Sequence, residues 1–257
     1  MIRVDAHAHV FQHGLTLAAR RRYTPTGEAP WPAYLRLLDE HGIDRALLVQ
    51  PSFLGVDNSY LLTAIAAQPE RFRGVVVLDT ADPRSAAREL PALHRGGVRG
   101  LRLNLIGQPP PALDGPGWPA LGERLAELGW HLEVQATGEQ WTYLAAALRN
   151  WPGAVVLDHL GLPQADPDWR LVLDLAAHPH IWVKISGLYR SPAGAVAAGE
   201  LCAVIGPDRL VWGSDWPWTR FEPGRDYRAL IEEARGLLPG AADRLLGGNA
   251  GRLLGWL

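Results

Sequence analysis

Cysteine is nearly missing from this chain of 257 residues, where Cys202 is the only one. An internal disulfide and any metal centre built from several thiolates are therefore excluded, and in its apolar helical stretch Cys202 reads as a packing residue. A charge excess of either sign is missing too. With 25 basic and 27 acidic side chains the formal net charge is -2, which gives no general attraction to nucleic acid or to an anionic membrane surface. No apolar run approaches the length that spans a bilayer, and the first strand begins too near Met1 to leave room for a signal peptide. The chain contains no linker or low-complexity tract. The expectation is one domain over residues 1–257, soluble and cytoplasmic, with a small-molecule substrate and no nucleic-acid or membrane partner.

What is abundant is apolar surface in a regular rhythm. Hydrophobic residues make up 47% of the chain, enough for a sizeable core. Short apolar runs at residues 2–10, 45–51, 73–79, 98–105, 131–136, 154–160, 181–188 and 209–216 read as strands. Between and after them, helical spacing marks residues 33–42, 60–68, 84–94, 119–128, 141–150, 168–177, 195–205 and 226–238. Eight strands alternating with eight helices imply parallel β-α-β units and predict a single-domain (β/α)₈ TIM barrel. A doubly wound open sheet binding a dinucleotide would need a glycine-rich turn after the first strand, and His7-Ala8-His9-Val10-Phe11 is no such turn. Residues 11–32 form a long proline- and arginine-bearing connection expected to act as a lid. Residues 241–257 are expected to pack beneath the barrel.

In such barrels the chemistry lies at the C-terminal ends of the strands. Those ends carry His7 and His9 on strand 1, Ser52 after strand 2, and Arg102 with Asn104 on strand 4. Gln135 follows on strand 5, His159 on strand 6, Ser186 on strand 7 and Asp215 on strand 8. Strand alternation places His7 and His9 on one face, with Asp5 a layer below them. Two imidazoles so placed either bind a divalent metal or donate to a developing oxyanion. Buried Arg102 needs an anion, supplied by the substrate or by Asp215 or Glu133. Lys184, the only lysine, lies a layer below Ser186 and is expected to pair with Glu133 or Asp5. Trp216 and Trp218 would wall a pocket or cover the barrel rim.

Several of these stretches recur as an ordered set: Asp5-Ala6-His7-Ala8-His9-Val10-Phe11, Tyr23-Thr24-Pro25, Val49-Gln50-Pro51-Ser52 with Asp57-Asn58, and Gly100-Leu101-Arg102-Leu103-Asn104. Asp158-His159-Leu160-Gly161, Val183-Lys184-Ile185-Ser186-Gly187, Gly213-Ser214-Asp215-Trp216-Pro217 and Gly248-Asn249-Ala250 complete it. On these residues the chain resembles the amidohydrolase superfamily, in particular the amidohydrolase-related (amidohydrolase 2) group of pyrone-dicarboxylate and sugar lactonases. The resemblance implies a hydrolase that opens a small cyclic ester. Asp215, kept ionised by the surrounding imidazoles, would take a proton from water while His7, His9 and His159 stabilise the oxyanion. Arg102, Tyr23, Ser52 and Arg190 would hold a carboxylate or hydroxyls of the substrate.

The superfamily's metal-dependent members carry a lysine or glutamate on strand 4 and histidines on strands 5 and 6; here Asn104, Gln135 and His159 stand at those places. No obligatory metal is the favoured expectation. The alternative is a mononuclear zinc- or manganese-dependent amidohydrolase or decarboxylase with His7, His9 and Asp215 as ligands. A barrel that only binds a small ligand is a third reading. The pyrone enzyme's second arginine and its strand-5 tyrosine correspond here to Gln108 and Gln135, which leaves open a dicarboxylate, a monocarboxylated ring or a neutral sugar lactone as substrate.

Overall fold

The computed structural model describes residues 2–163 and 168–257. Eight strands pair in sequence order. They are β1 (Val4–Ala8), β2 (Arg45–Val49), β3 (Phe72–Val76), β4 (Val98–Asn104), β5 (His131–Gln135), β6 (Val155–Leu157), β7 (Ile181–Ile185) and β8 (Leu210–Trp212). All seven successive pairs are parallel. The ring closes just beyond β8, where Asp215 N donates to the His7 carbonyl and His9 N to the Trp216 carbonyl, each at 2.8 Å. The residues expected to be catalytic on the first and last strands are thus stitched together by backbone.

One helix follows each strand: α1 (Trp31–His41), α2 (Ser59–Ala67), α3 (Pro83–Arg95), α4 (Trp118–Glu127), α5 (Gln140–Arg149), α6 (Asp168–Ala176), α7 (Gly194–Ile205) and α8 (Tyr227–Leu237). Local sequence sets their ends. Asp82 caps α3 by accepting from Arg84 N, with Pro83 at the first position, where its missing N–H costs nothing. Asp226, expected inside the last helix, instead caps α8 by accepting from Ala229 N at 2.8 Å. Gly42 ends α1 at φ 64°, a conformation that glycine adopts without steric cost. Each helix buries its apolar side against the barrel. On α3 that side is Pro83, Ala86 and Leu90, and Leu90→Ala would cost about 2–5 kcal/mol.

The barrel interior is divided. Its lower half is apolar, with Val4, Ala6, Leu47, Val49, Val75 and Val211 in one buried cluster. Ala250 and Leu254 join that cluster from α9 (Asn249–Leu253) and the residue after it. Asn249 ties this end to the barrel by donating through Nδ2 to the Pro207 and Leu210 carbonyls at 2.6 and 2.7 Å. Above the apolar plug the interior is polar. Within residues 11–32, Phe11 and Ala29 pair through backbone in both directions at 2.9 Å, and both pack with Phe53 and Leu54. Among the described residues no helix is long and apolar enough to cross a membrane.

Several strands are shorter than the apolar runs predict, and the difference shapes the site. β6 stops at Leu157, and His159 and Leu160 adopt φ 49° and 61°; β8 stops at Trp212, and Asp215 adopts φ 61°. Left-handed backbone at non-glycine residues costs about 1–3 kcal/mol each, and such residues cluster at functional sites. A second correction concerns Asp5. The β1–β2 register shifts between Asp5 and Ala8, so Ala6 and His7 both face inward while Asp5 turns toward the helices. There it accepts from Tyr34 and Tyr227 hydroxyls at 2.7 and 2.8 Å and from Ser214 N at 2.8 Å.

Candidate active site

The polar half of the barrel is built in two layers. The deeper one comes from β4, β5, β7 and the end of β6. Register sets Arg102 opposite Glu133, and Lys184, two residues along β7 from Trp182 and on the same face, reaches Glu133 from across the barrel. Lys184 Nζ donates to Glu133 Oε2 at 2.5 Å and lies 3.4 Å from Asp158 Oδ1. Arg102 Nη2 donates to Asp158 Oδ2 at 2.9 Å and to Gln135 Oε1 at 2.8 Å, and Nη1 to the Gln50 carbonyl at 2.9 Å. Arg102 Nε lies 3.5 Å from Glu133. All four charges are buried, a state tolerated only because each faces an opposite charge at close range. Burial by itself pushes both acids up. For Asp158 the neighbours His159, His7 and Lys184 outweigh it, and for Glu133 chiefly Lys184 does, so both carboxylates stay ionised.

The upper layer is centred on Asp215. Its Oδ2 accepts from the Tyr189 hydroxyl at 2.7 Å and from Arg190 Nε and Nη2, each at 2.6 Å. Gly187 makes this possible. It sits at φ 59°, and a Cβ there would come within 2.8 Å of Arg190 Cδ, so the bare backbone lets the arginine fold back over the barrel mouth. Burial pushes the Asp215 carboxyl up, but Arg190, His159 and His7 outweigh it and hold the group well below the usual carboxylate range. Burial also raises Tyr189, with Asp215 adding to it, so the phenol keeps its proton and donates. The other carboxylate oxygen, Oδ1, is buried without a partner. It faces His7 Nε2 at 3.8 Å and His159 Nε2 at 3.9 Å. At position 213 a Cβ would lie 2.5 Å from His7 Cβ, so Gly213 is the vacancy into which His7 fits.

The ring partners define what each histidine can do. His9 Nδ1 lies 2.7 Å from the Val49 carbonyl, which only accepts, so Nδ1 carries the proton and Nε2 offers a lone pair. That Nε2 is 3.3 Å from His7 Nε2. Burial first, then His7 and Arg102, holds His9 well below the ordinary imidazole value and therefore neutral. His7 Nδ1 lies 3.1 Å from Lys184 Nζ and 3.0 Å from Asp158 Oδ1. The ammonium can only donate, and accepting from it leaves the His7 proton on Nε2, directed at His9. Burial pushes His159 down to about 3 against the pull of Asp158 and Asp215. Its Nδ1 is 2.9 Å from Ser186 Oγ, and its Nε2 faces Asp158 at 3.7 Å as well as Asp215. Two carboxylates favour the proton on Nε2, with the serine hydroxyl donating to Nδ1.

Among the described residues, two groups of donor atoms lie close enough together to be tested as metal sites. His7, Glu133 and Asp158 form one, but Lys184 and Arg102 already fill it with cations, so it does not fit a metal. His7, His159 and Asp215 form the other, all ligand atoms within 4.8 Å of one another. With an orphaned carboxylate oxygen and two imidazole nitrogens, this set fits one divalent ion. His9, expected beside His7 and Asp215 as a ligand, is not in this group, in which His159 stands instead.

The expected residues converge as follows. His7, His9, His159 and Asp215 come together and are buried. Arg190, expected to hold the substrate, pairs with Asp215, and Arg102, expected to meet Asp215, Glu133 or substrate, is anchored chiefly to Asp158. Lys184 pairs with Glu133 and not with Asp5. Ser52 lines a cavity of about 530 Å³ together with Arg22 and Asn104. Tyr23 packs on Phe53 at the rim, ring centroids 5.5 Å apart. Asp158 and Tyr189 are central to the network and were not singled out. Strand alternation from Val156 does point Asp158 inward; nothing local marks Tyr189 beyond its position next to Arg190.

An eight-stranded parallel barrel with histidines and a carboxylate at its C-terminal mouth defines an amidohydrolase-type centre. Residues 4–256 match the amidohydrolase family, and the chain belongs to that family. Among its relatives, a 4-sulfomuconolactone hydrolase of Rhizobium radiobacter is 29% identical over 98% of this chain and 89% of its own length. A 2-pyrone-4,6-dicarboxylate hydrolase of Comamonas testosteroni is 32% identical over 83% of this chain and 76% of its own. In structure the chain is similar to a probable 2-pyrone-4,6-dicarboxylic acid hydrolase of Acinetobacter baumannii solved with citric acid bound. That match has a TM-score of 0.91 and 32% identity, and covers 99% of this chain and 100% of the other.

Proposed function

We propose that the protein is a hydrolase that opens a small lactone, with Asp215 as general base. The observation that carries this reading is the buried, unpartnered Asp215 Oδ1 facing the Nε2 atoms of His7 and His159. A base needs one free, ionised oxygen beside the place where charge develops, and the N–H groups must converge on that same place. The relatives named for sulfomuconolactone and pyrone-dicarboxylate hydrolysis support a cyclic ester as the substrate.

In the reaction, Asp215 Oδ1 takes one proton from a water molecule as the water oxygen bonds to the ring carbonyl carbon. The carbonyl electron pair moves onto its oxygen, which accepts from His7 Nε2–H and His159 Nε2–H. Collapse breaks the bond between the acyl carbon and the ring oxygen, and the proton held by Asp215 passes to that leaving oxygen. His9 acts through His7: its Nε2 lone pair holds the His7 proton on Nε2 until the substrate carbonyl competes for it. Lys184 supports the same tautomer from the opposite side of the ring, and Arg102 holds Asp158 in place. Tyr23 and Ser52 bind the substrate's carboxylate or hydroxyls at the mouth, where Arg190 is already paired with Asp215.

The second reading, a zinc- or manganese-dependent amidohydrolase or decarboxylase, is favoured by the His7, His159 and Asp215 donor set. A divalent ion held by these three residues would polarise a carbonyl and acidify a bound water. The test is a panel of pyrone carboxylates and sugar lactones assayed with and without exhaustive chelation. Equal hydrolysis under both conditions is expected. Failure to open any lactone ends the lactonase reading, and activity recovered only with zinc or manganese ends the metal-free scheme.

A further inference from the structure

The end of the barrel opposite the reaction centre holds a cavity of its own. It lies between α2 and α3 at the N-terminal ends of β3 and β4 and has a volume of about 670 Å³. Helix α3 packs along α4 but barely touches α2, so the gap between them stays open. Its floor is apolar, with Leu62 and Ile65 from α2 and Ala92 and Leu93 from α3. Ile65 sits directly on the strand ends, because a Cβ at Gly74 or Gly97 would come within 2.6 or 2.7 Å of it.

Two arginines close the strand side. Arg73 is the second residue of β3. Arg99 is placed by a bulge: Gly74 pairs with Val98 and Val75 with Gly100, which leaves Arg99 without a partner on β3, and such a bulge re-aims a side chain. Each guanidinium is anchored by one nitrogen. Arg73 Nη1 donates to the Pro69 and Phe72 carbonyls at 2.5 and 3.2 Å, and Arg99 Nη1 to the His94 and Val98 carbonyls at 3.0 and 2.7 Å. Among the described residues, Nε and Nη2 of both donate to nothing, and Arg73 Nε is buried in that state.

No internal anion answers this pair. Burial is the first cause lowering each guanidinium, and Arg73 lowers Arg99 further; Glu70, exposed at the rim, raises Arg73 without reaching ion-pair distance. Among the described residues the wall sets three cations, Arg73, Arg95 and Arg99, against that one acid. A carboxylate matches the guanidinium fork in geometry and charge. The apolar floor requires that the carboxylate bring a hydrocarbon body with it, since only that body removes Leu62, Ile65 and Leu93 from water.

We infer that this cavity binds an amphiphilic monocarboxylate, a free medium-chain fatty acid, with its head on the unused donors of Arg73 and Arg99 and its chain along Leu62, Ile65 and Leu93. The site is independent of the lactonase reading, and its test needs no turnover.

Calorimetry on the full-length protein with octanoate, butyrate and octan-1-ol separates head from chain. Octanoate is expected to bind about tenfold or more tightly than butyrate, which lacks four methylenes, and than the alcohol, which lacks the charge. Ala92 is an exposed helical position in the cavity wall. Ala92→Glu sets a competing carboxylate there and is expected to weaken octanoate by about tenfold, whereas Ala92→Gln stays within about twofold of wild type. Arg73→Gln/Arg99→Gln is expected to bind octanoate no better than octan-1-ol, with circular dichroism verifying the fold; if this variant does not fold, the Ala92 pair decides. A wild-type protein that does not prefer octanoate overturns the site. Octanoate binding left unchanged by Ala92→Glu places the ligand elsewhere and overturns it equally.

Discussion

Arg190 meets Asp215 through Nε and Nη2, both 2.6 Å from the single oxygen Oδ2, and leaves Oδ1 bare. One carboxylate therefore does two things. Its outer oxygen is neutralised by a guanidinium and a phenol, while its inner oxygen remains a free acceptor among imidazoles. The pairing keeps Asp215 ionised at the expense of basicity, so any change in Arg190 should register in the proton-transfer step.

Asp215→Asn removes the proposed base and keeps the shape. Lactone turnover is expected to fall by about a thousandfold or more, while circular dichroism remains that of the native barrel. Near-normal hydrolysis in this variant would mean that another group takes the proton.

Arg190→Gln tests the pairing through pH. Asp215 works only when ionised, so kcat falls as pH drops through its pKa. Burial raises that pKa and Arg190 is the foremost charge lowering it, so the acid limb of the pH–rate profile should move to higher pH in the variant. An acid limb at the wild-type position would show that Asp215 is not the group being followed.

Lys184→Met leaves Glu133 buried and without its cation. Breaking a buried pair in this way costs about 3–5 kcal/mol, a fall in Tm on the order of 10 °C for a chain of this size. Adding Glu133→Gln removes the stranded charge and should recover much of the loss, as read by thermal melts of the single and double variants. Additive losses would deny the coupling.

His159 is buried and neutral, its pKa pushed down to about 3 from about 6.5 in an unfolded chain. Between these values the unfolded chain binds a proton that the folded chain refuses. Stability is thus lost as pH falls below about 6.5, by up to about 1.4 kcal/mol per pH unit for one full proton. Urea unfolding between pH 6.5 and 4.5, above the range where the depressed carboxylates titrate, should show this slope, and His159→Gln should reduce it. Identical slopes would place the ionisation elsewhere; His9, also held low by burial, accounts for slope that survives.

The order of the barrel could be read from hydrophobic rhythm because each β-α unit is a local pattern. The convergence of His7, His9, His159 and Asp215 followed from the rule that strand ends share one mouth. The partners were harder to read. Alternation assigns Asp158 and His159 to opposite faces, and only the left-handed backbone at His159 turns both inward. Likewise the shift within β1 sends Asp5 outward to Tyr34 and Tyr227, where a regular strand would have stacked it beneath His7.

The sequence by itself therefore determined the architecture, the convergence of four polar residues at one barrel mouth and the absence of any multi-thiolate site, since all of these depend on residue type and short-range period. Tertiary structure alone decided which cation answers which carboxylate: Lys184 with Glu133, Arg102 with Asp158, Arg190 with Asp215. The physical reason is that pairing between buried charges depends on distances of 2.5–2.9 Å between side chains from different strands and loops. Those distances are set by a bulge, two left-handed residues and the missing side chains of Gly187 and Gly213, none of which leaves a periodic trace in the chain.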